Sequence, residues 1–249
     1  MKLGLYGGGF KPFTTGHFAK LADAIRDNDK VILFYGIQQE EPPEFYKRAN
    51  KKKGIRAGDR RPPRQEFRKI GSTGKVYDES VGKEVFKVYE KAFARIPEIE
   101  VVPVHSQDVD SDFGKKMTPL NQIFKVLDRF ASNPDLYEKV SIYGDKDSLP
   151  RFINYPPIRD LKDAGRVQFG GASPASPADY EGDAFDALMS AGEDEARDAL
   201  KDYYLKMNQD VSDDDLTRRQ SVRGTEVRSY ASTDSGVEDA LKFLPPFLT

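Results

Sequence analysis

The chain has no cysteine and only two histidines, His17 and His105, in 249 residues. The first absence excludes disulfides and thiolate metal clusters, though it does not decide the compartment. The second excludes a multi-histidine metal centre. No apolar run approaches the roughly 20 residues that a membrane-spanning helix needs. The opening run Leu3-Gly4-Leu5-Tyr6 is too short for a secretory signal and lacks a small-residue cleavage site. A cytoplasmic protein without a membrane partner is expected.

Hydrophobic residues make up 38% of the chain and charged residues 32%, which is polar for a globular protein, so part of the length must be solvated loop. A formal net charge of -2 hides a strong segregation. Residues 47–75 hold twelve Lys/Arg against two Asp/Glu, and residues 179–215 hold thirteen Asp/Glu against three Lys/Arg. The expected organisation is one domain over 1–249, with a basic insertion at 38–78 and an acidic helical insertion at 173–217. The two insertions are complementary enough to face one another.

Apolar spacing gives the order of elements. Residues 2–6 read as a strand, 16–26 as a helix with Phe18, Leu21, Ala22 and Ile25 on one face, and 31–35 as a strand buried on both faces. The segment 38–75 has Pro42-Pro43, Pro62-Pro63 and no apolar stripe, and reads as a mobile insertion. Helices follow at 80–96, ended by Pro97, and at 119–130. Strands follow at 101–104, 140–143 and 166–169. Ser173-Pro174-Ala175-Ser176-Pro177 reads as a linker, 184–207 as one or two acidic helices broken near Gly192, and 237–243 as a last helix. No internal repeat is visible. This alternation predicts an α/β fold, a doubly wound parallel sheet with ligands beyond the carboxyl ends of its strands.

Two loops fall on that edge: Gly7-Gly8-Gly9-Phe10-Lys11-Pro12-Phe13-Thr14-Thr15-Gly16-His17 after the first strand, and Gly144-Asp145 after the strand at 140–143. The first aims backbone N–H groups, a helix N-terminus and an imidazole at one point, which suits a phosphate.

This stretch resembles the first motif of the nucleotidylyltransferase superfamily, G-x-F-x-P-x-[HT]-x-G-H. The family's G-x-D appears as Gly144-Asp145-Lys146-Asp147, and its closing S-G-T-x-x-R as Arg223-Gly224-Thr225-Glu226-Val227-Arg228. The wording GLYGGGFKPFTTGHF is also similar to cytidylyltransferase-like proteins of bacteriophages, which would place the chain in a host cytoplasm. Thr14 stands where many members have histidine, a variant that resembles phosphopantetheine adenylyltransferases. Arg223 replaces the usual serine and puts one hydroxyl contact to phosphate in doubt.

The resemblance implies a Rossmann-like, HUP-type domain. It would transfer AMP or CMP from ATP or CTP to a small phosphorylated acceptor, with Mg²⁺ and release of pyrophosphate. Acceptors of the right class include nicotinamide mononucleotide, phosphopantetheine, and glycerol or choline phosphate. The chemistry needs no covalent nucleophile, only alignment of two anions and neutralisation of phosphoryl charge. His17 is the implied α-phosphate donor. Thr14 is either a hydroxyl donor or simply a helix N-cap. Lys11 is either a flexible phosphate contact or a solvated lysine. Gly8 and Gly9 let the backbone approach the nucleotide, supply positive φ in a turn, or both, and the resemblance places Phe10 and Gly16 with them among the nucleotide-binding residues. Gly144 and Asp145 would meet the acceptor or the nucleotide sugar, unless Asp145 only caps a turn. Gly224 and Thr225 would hold the terminal phosphates at a helix start, with Arg228, and Arg223 beside it, as guanidinium clamps.

The basic segment 47–75 could be a solvated loop, a lid over the triphosphate, or, least favoured, a nucleic-acid contact, since interleaved aromatics are sparse. The acidic segment reads as a solvated surface helix, with no metal expected at Asp213-Asp214-Asp215. His105 reads as a surface residue. A homo-oligomer is compatible with the sequence. The rival from another class is a non-catalytic binding or assembly module on the same fold.

Overall fold

A computed structural model describes residues 1–10, 13–37, 69–70, 75–76, 79–94, 96–105, 118–144, 148–170, 182–206, 209–222, 227 and 237–245. Five strands form one sheet: β1 (Lys2–Gly8), β2 (Lys30–Ile37), β3 (Ile99–His105), β4 (Lys139–Tyr143) and β5 (Val167–Phe169). Their spatial order is β3-β2-β1-β4-β5, and every pairing is parallel. This is the doubly wound, Rossmann-like order. Lys69–Ile70 and Lys75–Val76 form a separate antiparallel pair inside the expected basic insertion; the rest of that insertion, residues 38–68, 71–74 and 77–78, lies outside the described residues, as does the linker at 173–177.

Helices cover both faces. On one side lie α1 (Thr15–Asp27) and α2 (Glu79–Phe93), and on the other α3 (Pro119–Ser132). β1, β2, β4 and β5 are largely buried and feed two cores, while the edge strand β3 fully buries only Val104. Tyr6, Leu33 and Tyr35 pack with Phe18 and Leu21 of α1 and Tyr89 and Phe93 of α2. Leu3, Leu5, Val140 and Ile142 pack with Ile123, Leu127 and Phe130 of α3. Two short helices, α4 (Pro150–Ile153) and α5 (Arg159–Asp163), cross from β4 to β5. No helix among the described residues is long and apolar enough to cross a membrane.

The carboxyl-terminal part departs from the sequence reading. The acidic stretch is one unbroken helix, α6 (Gly182–Lys206), not two helices parted at Gly192. Gly192 is there for closeness. A Cβ on it would lie 2.6 Å from the Gly170 carbonyl oxygen, so α6 can rest on the end of β5 only with glycine at that contact. Nor is α6 merely a solvated surface helix, because Ala196, Leu200 and Tyr204 are buried in the α1–α2 core. The acidic triplet opens α7 (Asp213–Ser221) beneath a Ser212 cap, where carboxylates complement the helix dipole. Asp213 pairs with Lys201 at 2.6 Å and Asp215 with Arg219 at 2.8 Å. The last helix, α8 (Val237–Leu241), is shorter than expected, and Phe243 follows it in a turn.

Candidate phosphate-binding crevice at the sheet switch point

β1 sits at the centre of the sheet, with β2 on one side and β4 on the other. The chain leaves β1 for β2, β3 follows at that edge, and the next strand, β4, returns to the far side of β1. The order reverses between β1 and β4, so the connections above their carboxyl ends part and leave a crevice. Gly8, Gly9 and Phe10 leave β1 at this point, and Gly144 leaves β4. Lys20 of α1 spans the gap, with its Nζ donating to the Gly144 carbonyl at 2.7 Å.

α1 starts in the crevice. Thr14 is its N-cap, in extended conformation, and forms a reciprocal capping box with His17. The Thr14 N–H donates to His17 Nδ1 at 3.0 Å, and the His17 N–H donates to Thr14 Oγ1 at 3.4 Å. An imidazole nitrogen that accepts an N–H must carry its lone pair. The ring proton of neutral His17 is therefore on Nε2, the edge turned away from the cap. Thr14 is 2% exposed, and its hydroxyl, 2.9 Å from Nδ1, belongs to the cap. The rings of Phe10 and Phe13 lie 5.2 and 5.6 Å from the imidazole and fix its plane.

The other donors at this helix start are partly used by the carboxyl-terminal part of the chain. The Thr15 N–H and hydroxyl both donate to the Phe243 carbonyl, at 2.8 and 3.0 Å. Gly16 lets the backbone carbonyl of Gln220, near the end of α7, come against the first turn; a Cβ there would collide with it. Among the described residues, the Gly16 N–H is the helix-start donor left for a ligand.

In the glycine loop the positive φ falls on Phe10, at 44°, and on neither Gly8 nor Gly9. A bulky residue in that region costs energy that neighbours must repay. The buried Tyr89 hydroxyl of α2 supplies the compensation. It donates to the Phe10 carbonyl at 2.6 Å and accepts the Phe13 N–H at 2.8 Å. A Cβ on Gly9 would meet nothing within 4 Å, so its backbone is open to approach.

Below the crevice, Lys20, Asp23, Tyr143, Gly144, Gly170, Gly192 and Glu193 line a narrow cleft between α1, α6 and the ends of β4 and β5. Asp23 is 1% exposed and pairs with Arg26 at 2.5 Å. Burial and the neighbouring Asp27 nevertheless push its carboxyl up to about 7, against the pull of Arg26. Ligand oxygens of Asp23, Asp27 and Glu195 lie within 4.8 Å of one another. The Tyr143 hydroxyl accepts from Asn28 Nδ2 at 3.0 Å, and burial raises its pKa far above the usual phenol range. Sequence reasoning missed Lys20, Asp23 and Tyr89. Nothing local marked Asp23, which lies across α1 from the apolar face of Phe18, Leu21, Ala22 and Ile25 and is buried there all the same.

Of the residues singled out in the sequence, Gly8, Gly9, Phe10, Thr14, Gly16, His17 and Gly144 meet at this end of the sheet. Lys11, Asp145, Asp147, Arg223, Gly224, Thr225 and Arg228 lie outside the described residues. The described neighbours of the last motif are close by: Gln220 touches Gly16, and Val227 is buried in a small core with Ala240 and Phe243. His105 ends the edge strand β3, with β2 between it and β1.

No family model matches the sequence, and no curated protein does. Two solved structures of NadR are similar to it. NadR in complex with NR aligns with a TM-score of 0.34 at 16% identity, over 77% of this chain and 40% of that one. NadR in complex with NAD and AMP-PNP aligns with a TM-score of 0.34 at 15% identity, over 88% and 46%. This chain thus spans less than half of the NadR chains it matches. A likeness of that degree fixes neither a family nor a ligand.

Proposed function

We propose that the protein is a nucleotidylyltransferase. It takes a nucleoside triphosphate, ATP or CTP, at the crevice between β1 and β4 and passes the nucleotidyl group to a small phosphorylated acceptor. The observation that carries this reading is the His17 arrangement: a helix start at the switch point with an imidazole whose donor edge is fixed by its own N-cap. The acceptor phosphate oxygen attacks the α-phosphorus and the bond to pyrophosphate breaks. His17 Nε2–H and the Gly16 N–H stabilise the charge that grows on the α-phosphoryl oxygens, and Lys20 holds the two walls of the crevice at fixed spacing. Arg228, Arg223 and the 224–225 backbone are assigned to the leaving pyrophosphate by their place in the third motif.

Mg²⁺ fits poorly to the described residues. Asp23, Asp27 and Glu195 form the described carboxylate cluster, but Asp23 lies two turns down α1 from His17 and is paired with Arg26. Any Mg²⁺ would travel on the triphosphate itself, and no step here depends on it.

A second reading has one observation in its favour. Phe243 and Gln220 occupy part of the α1 start, as a binding or assembly module on this fold could tolerate. Release of pyrophosphate from α-labelled ATP or CTP, with a panel of phosphorylated acceptors, separates the two. Turnover with one acceptor supports the transferase; nucleotide binding without turnover across the panel supports the module.

A further inference from the structure

We propose that Tyr89 is a positioning residue, whose hydroxyl sets the tautomer and aim of His17 from across the domain. The residue belongs to α2, and its ring is buried among Phe13, Tyr35 and Phe93, at 5.8, 5.3 and 6.4 Å. A buried phenol must satisfy its hydroxyl. Tyr89 does so on the glycine loop, donating to the Phe10 carbonyl and accepting the Phe13 N–H. One proton and one lone pair thus fix the two described ends of the loop at once. At the first end they hold Phe10 at its positive φ. At the second they hold Phe13, whose ring is also fully buried, against Phe93 at 5.6 Å.

Phe13 precedes Thr14, and the Thr14 N–H is the group that makes Nδ1 of His17 an acceptor. The chain of cause is short: the Tyr89 hydroxyl fixes Phe13, Phe13 fixes the approach of the Thr14 peptide, and that peptide puts the imidazole proton on Nε2. Phe10 and Phe13 also bracket the imidazole, so the same hydroxyl sets the ring plane. The consequence for catalysis rests on reading His17 as the phosphate donor, but the test below needs no ligand.

The experiment is long-range proton–nitrogen NMR of the imidazoles in the full chain, at alkaline pH where histidine is neutral. With two histidines in the protein, His105→Gln assigns the signals. Wild type is expected to show His17 as a pure Nε2–H tautomer. In Tyr89→Phe, which keeps the ring and removes both bonds, the two His17 nitrogens should move toward each other as tautomers mix. Unchanged His17 nitrogens in folded Tyr89→Phe would overturn the proposal and leave Tyr89 with a packing role that lowers only the melting temperature. Should Tyr89→Phe not fold, phenyllactic acid at position 13 replaces the Phe13 N–H by an ester oxygen and removes that bond while Tyr89 stays in place. Mixed His17 tautomers in the ester support the proposal, and an unchanged Nε2–H tautomer overturns it. Failure of wild type to bind ATP or CTP would defeat the transferase reading while leaving the tautomer result standing.

Discussion

Gly16 and Gln220 touch where two helices meet: the backbone carbonyl of Gln220 fills the space that any Cβ on Gly16 would need. Backbone on one side and helix on the other leave no flexible group to yield. Gly16→Ala should therefore displace α7 and destabilise the protein by about 1–3 kcal/mol, read from chemical denaturation. Gly9→Ala is the control. Its Cβ meets nothing, so stability should change by less than about 0.5 kcal/mol, while nucleotide affinity falls because the added methyl stands where the backbone is open. Equal stability losses at the two sites would contradict this account.

His17→Ala should lower turnover by about 100-fold, or roughly 2.7 kcal/mol of transition-state stabilisation. The capping box loses one partner as well, at about 1 kcal/mol of stability. Circular dichroism should remain that of the wild type. A variant that turns over at near-normal rate would remove His17 from the mechanism.

Asp23 gives stability a pH dependence of predictable sign. In the folded protein its carboxyl keeps a proton up to about 7, against 3.8 for the ordinary group. Between those values the folded state binds more protons than the unfolded state, so stability falls as pH rises through the window and levels off above it. About three pH units at 1.36 kcal/mol each set an upper bound of roughly 4 kcal/mol. Asp27, Arg26, Glu195, Glu193 and Lys20 face the same region and share the effect. Asp23→Asn should flatten the stability profile from mildly acid to neutral pH. A slope that survives the substitution would assign the titration elsewhere.

Thr15→Val keeps the shape of the side chain and removes one of the two bonds to the Phe243 carbonyl. The expected loss is about 1 kcal/mol. Faster hydrogen exchange should be confined to α8 and the turn after it. If exchange instead rises across α1, the hydroxyl supports the helix rather than the carboxyl-terminal contact.

The sheet was legible in the sequence because parallel strands buried on both faces leave continuous apolar runs, as Val31-Ile32-Leu33-Phe34-Tyr35 does. Helix limits were legible where chemistry marks them: Pro119 opens α3, and Thr14 opens α1. Gly192 misled because a glycine chosen for close approach and a glycine that ends a helix look alike in a sequence. Tyr89 lies among the apolar residues of α2, and nothing local shows that its hydroxyl will find a loop 76 residues away. Asp23 was hidden for the same reason. Its unusual carboxyl comes from α6 closing over α1, which is a property of packing between distant segments.

The strand order also has a consequence for how the protein is made. β1 is synthesised first, yet its second partner, β4, does not exist until residue 143 has been added. Until then the centre of the future sheet is an open edge beside β2. The first turn of α1 waits longer still, because the carbonyl that receives the Thr15 hydroxyl belongs to a residue 228 positions later. A nascent chain must carry a central strand paired on one side only until β4 has been added. Chaperone occupancy on stalled nascent chains should therefore drop once β4 has cleared the exit tunnel, and not when β2 or β3 does.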